Sequence, residues 1–254
     1  MSKPLDGQTV LVTGGGRGLG AAIVRAFARE GSRVAINYFR SADKAEALAE
    51  ELGERSFAVQ GDVRSKDSIR AMLDRVGDHF GAPTTLVHNA IADYSFNGDA
   101  RDSLSTLSTD SLDAQFHTAV HGALNLTQAV APAMADAGFG RIVHIGTNLM
   151  QNPVVPYHDY VAAKGALLAL TRTSAAELGP QGISVNMVSG GLLRTTDASA
   201  ATPDAVFDFI AEGTPLRSVT TPEEAADAVL FFASPWARAV TGQNLIVDGG
   251  LVYG

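Results

Sequence analysis

A tyrosine and a lysine stand four residues apart in the segment YVAAK, at Tyr160 and Lys164. Residues 160–179 are typical of a helix, and side chains four residues apart share a helix face. A free tyrosine has a pKa of about 10, which makes it a poor acid or base at neutral pH. A lysine cation beside it favours the phenolate, so we expect the pKa to fall. The pair suits proton transfer to a carbonyl oxygen or from an alcohol, although many helix pairs of this spacing have no such role.

A glycine-rich segment, LVTGGGRGLG, occupies residues 11–20 and joins an apolar run to a helix-like stretch. Glycine permits positive φ and lets a phosphate approach the backbone closely. The N-terminus of the following helix offers free N–H groups and partial positive charge to a pyrophosphate. A tight turn that binds nothing is the alternative. As a dinucleotide site, the loop would use Gly14, Gly16, Arg17, Gly18, Leu19 and Gly20.

The residues after the second apolar run indicate which dinucleotide would bind. NAD-binding folds usually place a carboxylate at the end of the second strand, where it holds the ribose hydroxyls. Here the segment is NYFRS, residues 37–41, without a carboxylate. Arg40 can pair with a 2′-phosphate, Ser41 adds a hydroxyl donor, and Arg17 adds a second cation. The sequence therefore favours NADPH over NADH, unless both arginines are only solvated surface charges.

These residues need a framework, and apolar, β-branched runs alternate with amphipathic stretches along the whole chain. Such alternation predicts βαβ units and a parallel sheet. Seven runs without a linker indicate an α/β fold, a single doubly wound Rossmann domain over residues 1–254 with helices flanking a seven-stranded parallel sheet. The predicted strands are 9–14, 33–38, 56–62, 84–90, 140–147, 183–189 and 244–250, and the first helices are 19–31 and 42–53.

Composition excludes several classes of function. The formal net charge is −8, and no lysine or arginine cluster occurs, so a nucleic-acid partner is not expected. The absence of cysteine removes thiolate chemistry, and the histidines have no metal-ligand spacing, so no metal site is proposed. Without a signal peptide or a long apolar run, we expect a cytoplasmic protein with no membrane contact. The segment 194–222 could be a substrate lid or a surface connection.

TGGGRGLG near the start and YVAAK well downstream resemble the short-chain dehydrogenase/reductase family, and the resemblance covers essentially the whole chain. GDV (61–63) and HNA (88–90) are similar to two further motifs of that family. ISVNMVSGGLLRT (183–195) is similar to the family segment along the nicotinamide, and VTGQNLIVDGG (240–250) to its last strand. The resemblance implies further cofactor contacts from Tyr38, Asp62, Val63, Asn89, Ala90, Gly190, Gly191, Leu193 and Thr195.

Within the family the chain most resembles the 3-oxoacyl-acyl-carrier-protein reductases. That resemblance implies hydride transfer from NADPH to a ketone, which is a small molecule or is bound to an acyl carrier. Tyr160 would protonate the oxygen, and Lys164 would lower the pKa of Tyr160 and hold the nicotinamide ribose. Thr147, thirteen residues before the tyrosine, would orient the substrate oxygen. Family members are usually tetramers or dimers, so we expect a homotetramer.

Three residues depart from the family pattern. Thr147 replaces the usual serine, which keeps a hydroxyl donor but adds a methyl group. Ala119 aligns with an asparagine that anchors a water in the family's proton relay, and neither His121 nor Asn125 aligns with that position. Gly190 replaces a proline, which loosens the loop beside the nicotinamide. These changes put the substrate in doubt more than the type of reaction.

Two alternative functions remain open. The first is a pteridine, quinone or other small-carbonyl reductase, whose flat substrate needs an aromatic partner that the sequence cannot place. Phe96 and Tyr94 are candidates, although packing explains aromatic residues equally well. The second is a catalytically weak NADP-binding sensor, suggested by Ala119 and opposed by the retained proton-transfer pair. By resemblance, one side of the cleft comes from residues 148–160, including Met150, Gln151, Val155, Tyr157 and His158.

Overall fold

The computed structural model contains one seven-stranded sheet in which every strand pair is parallel. It describes residues 3–92, 94, 96, 101–194, 196, 199–200 and 202–253. The strand order is β3-β2-β1-β4-β5-β6-β7. The strands are β1 (Thr9–Val12), β2 (Arg33–Tyr38), β3 (Ser56–Gln60), β4 (Thr85–His88), β5 (Gly140–Thr147), β6 (Ile183–Gly190) and β7 (Asn244–Val247). The predicted doubly wound Rossmann fold is therefore confirmed.

Helices cover both faces of the sheet. Successive side chains along a central strand point alternately toward the two helix layers. Val10 and Val12 of β1 join a core with one helix layer, while Leu11 joins the core on the opposite face. The first layer contains α1 (Gly18–Arg29), α2 (Ala42–Leu52) and α8 (Pro222–Ala233), and the second contains α3 (Lys66–Phe80), α5 (Gly122–Asp136) and α6 (His158–Leu178). Two shorter helices, α4 (Thr109–Phe116) and α7 (Asp204–Gly213), are the remaining α-helices among the described residues.

The strand order reverses between β1 and β4, which is where parallel sheets of this type bind ligands. Strand β1 pairs with β2 on one side and with β4 on the other. The chain leaves β1 into the glycine loop and leaves β4, β5 and β6 at the same edge of the sheet. The topology therefore brings the glycine loop, Asn89, Thr147 and Gly190 to one edge.

The predicted strand boundaries match the structure in two strands and extend beyond the observed strand in several others. Strands β2 and β5 have the predicted limits. Strand β1 ends at Val12 because Gly14 takes a φ of 62°, and β7 ends at Val247 because the glycines after it also have positive φ. The segment 194–222 contains α7. None of the helices in the described part of the chain is long and apolar enough to cross a membrane.

A buried amide, Asn37 on β2, connects three segments beside the ligand edge. Its Oδ1 accepts a hydrogen bond from Gly14 N at 3.4 Å, and its Nδ2 donates to Gly61 O at 3.1 Å. The backbone carbonyl of Asn37 accepts from Gly15 N at 2.9 Å. Asn37 therefore fixes the glycine loop relative to the ends of β2 and β3.

We expect Asn37→Ala to lower the free energy of unfolding by about 1–3 kcal/mol, because buried backbone groups lose their partner. Urea denaturation measures the change. The matched control is Gln60→Ala, which removes an exposed amide that also bonds to a backbone carbonyl, Phe39 O at 3.3 Å. A change at Asn37 no larger than the change at Gln60 would contradict the bracing role.

Candidate active site

The predicted catalytic residues come together at the carboxyl end of β5. Thr147 is the last residue of β5, and Tyr160 lies in the first turn of α6, where it is buried. Burial raises the pKa of Tyr160 to about 12, while a hydrogen bond from Thr147 acts in the opposite direction. Thr147 Oγ1 accepts from Leu149 N at 3.3 Å. The Thr147 hydroxyl therefore accepts from the backbone while its proton serves as a donor on the Tyr160 side.

Lys164 lies one helical turn after Tyr160, and its side chain is buried. Its Nζ donates to Ile145 O at 2.6 Å and lies 5.6 Å from the centroid of the Tyr160 ring. Burial lowers the pKa of Lys164 to about 8. The expected net fall of the Tyr160 pKa is wrong for this structure, because desolvation by the surrounding side chains raises that pKa and is the largest effect on it.

Two buried histidines, which the sequence analysis did not single out, lie near Lys164. His88 and His144 are paired in register on β4 and β5, and their rings are 6.0 Å apart. Burial is the main cause that lowers the pKa of His88 to about 3 and that of His144 well below its usual range, and the Lys164 charge acts in the same direction. Both imidazoles are therefore neutral at physiological pH.

Ala119, the residue that replaces the family's asparagine, lies in a π-helical turn, His117–His121, between α4 and α5. Its backbone carbonyl is 3.1 Å from His88 Nε2, so a hydrogen bond from the imidazole accounts for this acceptor. His121 is exposed and its ring packs against His117. At the position of the family's relay asparagine, this chain therefore has only the backbone carbonyl of Ala119, and that carbonyl is hydrogen-bonded to His88.

The glycine loop fits a dinucleotide cofactor. Gly14 and Gly18 have positive φ, at 62° and 52°. A Cβ atom on Gly20 would lie 2.1 Å from Gly14 O, so α1 begins closer to the loop than any side chain permits. Asn89 Nδ2 donates to Thr13 O at 3.0 Å and to Gly14 O at 3.1 Å. The first turn of α1 can therefore offer its free N–H groups to a phosphate.

A basic corner lies beyond β2 and β3. Arg40 and Arg64 stack on Phe39, with guanidinium carbons 5.2 Å and 5.1 Å from the ring centroid. Asp62 pairs with Arg64 at 2.8 Å, which is the main reason that the pKa of Asp62 is lowered. Ser41 begins α2 without using its side chain as a cap. The sequence analysis missed Arg64, although it directly follows the GDV motif.

The segment after β6 runs past the glycine loop. Gly190 is in register with Thr147, and a Cβ atom on Gly191 would lie 2.9 Å from the Asn148 amide nitrogen. Thr196 lies next to Gly18, 3.6 Å from where a Cβ atom would stand. This segment and the loop therefore enclose a cleft from two sides. Thr195, another predicted cofactor contact, lies outside the described residues.

Several of the other residues predicted to contact the cofactor also pack or form hydrogen bonds within the protein. Arg17 is exposed at the start of α1, and Leu19 packs against the core of the first helix layer. Ala90 N donates to Thr13 Oγ1 at 3.1 Å. Val63 is buried against Gly122 at the start of α5, and Tyr38 is half-buried at the end of β2. Leu193 O accepts from Ser199 Oγ at 2.7 Å.

Aromatic rings surround Tyr160 on the substrate side. Tyr94 and Phe96 each lie 5.3 Å from the Tyr160 ring, and Tyr157 packs against both. We call Tyr94, Phe96 and Tyr157 the aromatic cluster. His158 and Gln151 are exposed, while Met150 and Val155 are partly buried. Among the described residues, no group of three or more histidine, aspartate or glutamate side chains could hold a metal ion.

Comparison with known proteins identifies the family. A family model described as Enoyl-(Acyl carrier protein) reductase matches residues 14–252. The chain belongs to the short-chain dehydrogenase/reductase family. It is an oxidoreductase that acts on CH–OH and C=O groups with a nicotinamide cofactor.

Members of this family with assigned activities resemble the chain over nearly its full length. A 3-oxoacyl-[acyl-carrier-protein] reductase of Staphylococcus epidermidis is 36% identical over 250 residues, covering 96% of this chain and 98% of that protein. A 3-oxoacyl-[acyl-carrier-protein] reductase of Synechocystis is 33% identical, with 98% of each chain covered. The crystal structure of a gluconate 5-dehydrogenase of Burkholderia cenocepacia, in complex with NADP and tartrate, superposes with a TM-score of 0.87 at 31% identity, covering 98% of this chain and 96% of that one.

The buried Lys164 predicts a specific pH dependence of stability. Its pKa is about 8 in the folded protein, below its usual 10.5, so above pH 8 the unfolded chain binds more protons. The free energy of unfolding should therefore rise between about pH 8 and about pH 9.5. Lys164→Met should remove this rise and stabilise the protein at pH 7 by up to roughly 3 kcal/mol.

Urea denaturation across that pH range measures both effects. Lys66→Met is the matched control, because Lys66 is exposed and bonds only weakly to Gln128 at 3.4 Å. The control should keep the wild-type slope. A Lys164→Met protein that keeps the wild-type slope would show that the buried ammonium is not its source.

Proposed function

We propose that this protein reduces a ketone to a secondary alcohol with NADPH, and that the ketone is a 3-oxoacyl thioester. The observation that carries the proposal is the placement of Thr147, Tyr160 and Lys164 beside a glycine loop shaped for a dinucleotide. The 3-oxoacyl-[acyl-carrier-protein] reductases of Staphylococcus epidermidis and Synechocystis support the substrate class. The gluconate 5-dehydrogenase is the reason that a test must include other ketones.

In this mechanism the substrate carbonyl oxygen lies between two hydroxyl groups. Thr147 donates a hydrogen bond to that oxygen and orients it, and Tyr160 transfers its proton to the oxygen as the alcohol forms. A bound NADPH would supply the hydride for the carbonyl carbon. The raised pKa keeps Tyr160 protonated before the reaction, which suits a proton donor.

Lys164 acts on the phenolate that proton transfer leaves behind. Its ammonium group lies 5.6 Å from the centroid of the Tyr160 ring and is buried, so its positive charge favours the phenolate over the neutral phenol. The Ile145 carbonyl holds the ammonium in place.

The basic corner supports NADPH over NADH. Arg40 and Arg64 both lie against Phe39 where the adenosine end of a dinucleotide would bind after β2. The Asp62 carboxylate is paired with Arg64, so it repels a 2′-phosphate less than a free carboxylate would. The glycine loop places Arg17 on the same side of the fold.

A second candidate function is the reduction of a flat cyclic carbonyl compound, such as a pteridine or a quinone. The aromatic cluster around Tyr160 favours it, because it provides the aromatic partner that a flat substrate needs. A cofactor-binding sensor is disfavoured by the Thr147, Tyr160 and Lys164 arrangement. The cytoplasmic location and the homotetramer stay predictions.

Tyr160→Phe should lower kcat for acetoacetyl thioester by about 10²–10⁴-fold, because the proton donor is lost. NADPH consumption, followed by its absorbance, measures the rate, and fluorescence titration should give an unchanged Kd for NADPH. Tyr253→Phe is the matched control, since Tyr253 is 82% exposed. Full activity of Tyr160→Phe would overturn the mechanism, and an inactive wild type across a panel of ketones would overturn the proposed function.

Arg40→Ala should raise the Kd for NADPH by about tenfold or more, because a charge-assisted bond to the 2′-phosphate is lost. The Kd for NADH should change little. Titration of both cofactors by fluorescence tests this difference, and Arg33→Ala, an exposed arginine at the start of β2, is the control. Equal weakening of NADPH and NADH binding would show that Arg40 does not bind the 2′-phosphate.

A further inference from the structure

A buried carboxylate, Asp159, lies directly before Tyr160 in the first turn of α6, with only 3% of its side chain exposed. Its Oδ1 accepts from Tyr94 OH at 3.0 Å and from Tyr160 N at 2.9 Å. Its Oδ2 accepts from Arg101 Nη2 at 2.7 Å. One side chain therefore connects the catalytic tyrosine's own backbone to two residues that follow β4.

Those two residues shape the substrate side of Tyr160. The Arg101 guanidinium carbon lies 4.0 Å from the centroid of the Tyr94 ring, so the cation lies over a face of that ring while Asp159 binds its hydroxyl. The Tyr94 ring is tilted by 30° against the Tyr160 ring, and Phe96 meets Tyr160 edge-on at 85°. Asp159 and Arg101 thus hold the aromatic cluster in position.

The charges of Asp159 and Arg101 cancel. The Asp159 side chain is 3% exposed and the Arg101 side chain 20% exposed, and their hydrogen bond is short, so the pair presents no net charge to a ligand. Aromatic rings offer few hydrogen-bond acceptors, so a substrate with several hydroxyl groups or a carboxylate would lose hydration without replacement. An alkyl or acyl substituent of a substrate has no such hydration to lose when it contacts the same rings.

We propose that Asp159 is a positioning residue that sets substrate preference: by holding Tyr94 and Arg101, it makes the aromatic cluster an uncharged apolar surface that selects ketones with apolar substituents against ketones that carry a carboxylate. This inference rests on the proposed reduction of a ketone at Tyr160. It extends that function by assigning the selection to a residue that itself contacts no reacting atom.

The sharpest test compares two forms of one ketone, ethyl 3-oxobutanoate and the 3-oxobutanoate anion. The wild type should have the higher kcat/KM for the ester. Asp159→Asn keeps an amide oxygen for Tyr94 and Tyr160 but leaves the Arg101 cation unpaired, so the ratio of ester to acid should fall by about tenfold or more. Arg101→Met leaves an unpaired carboxylate that repels the anion, so the ratio should rise above the wild-type ratio.

The double variant Asp159→Asn/Arg101→Met removes both charges, and its ratio should return toward the wild-type ratio. Asp67→Asn is the matched control, because Asp67 pairs with Arg70 on the exposed surface. A purely structural role of Asp159 would lower the rates for ester and acid together and leave the ratio unchanged. An unchanged ratio in all three variants would therefore overturn the proposal.

A binding measurement separates this proposal from the proposed function. Saturation-transfer NMR with the wild type and NADP⁺ should show contact between the ethyl group of the ester and aromatic protons, and weaker binding of the acid. If no ketone is reduced, acetoacetyl thioester included, the proposed function fails, and the NMR preference still decides the selectivity. Equal binding of ester and acid would overturn the role of the aromatic cluster. If Asp159→Asn does not fold, Arg101→Met and the double variant give the decisive comparison.

Discussion

The site depends on burying two opposite charges on one helix, on either side of Tyr160. Asp159 lies one residue before the tyrosine and Lys164 one turn after it, and both are almost fully removed from water. Each needs a partner, because an unpaired buried charge is strongly unfavourable. Asp159 pairs with Arg101 and accepts a hydrogen bond from Tyr94, whereas Lys164 donates a hydrogen bond to the neutral Ile145 carbonyl. These different partners leave an excess of positive charge on the Lys164 side of Tyr160, where the proposed mechanism forms a phenolate.

The parallel sheet makes this arrangement possible. It supplies the Ile145 carbonyl from a strand that runs toward the ligand edge, and it sets the neutral pair His88 and His144 at adjacent positions nearby. Because these imidazoles are held uncharged, they add no second cation that would compete with Lys164. The rigid layers of α1 and α6 on opposite faces bring the glycine loop and the tyrosine to the same cleft.

Sequence patterns predicted the fold and the positions of the main site residues, because both depend on local periodicity. The β-branched runs of β2 and β5 located those strands to the residue, and the spacing of Tyr160 and Lys164 placed them on one face of α6. The direction of the Tyr160 pKa shift was wrong because spacing does not reveal desolvation. Asp159 and Arg64 were missed because their partners, Arg101 and Asp62, show their relation only after folding. The signals were nevertheless present, since each lies directly beside a recognised motif.

The π-helical turn, His117–His121, has a consequence for how this region can vary. A π turn holds one more residue than an α turn, so it behaves as a single inserted residue that the helix has absorbed locally. The face of α5 that carries Leu126 and Val130 therefore keeps its register on the sheet despite the extra residue. Deleting one residue here would produce a regular helix and rotate the Ala119 carbonyl away from His88. A natural or designed variant must therefore preserve the number of residues in this turn, which sets the register of the helix on the sheet, more than the identity of its side chains.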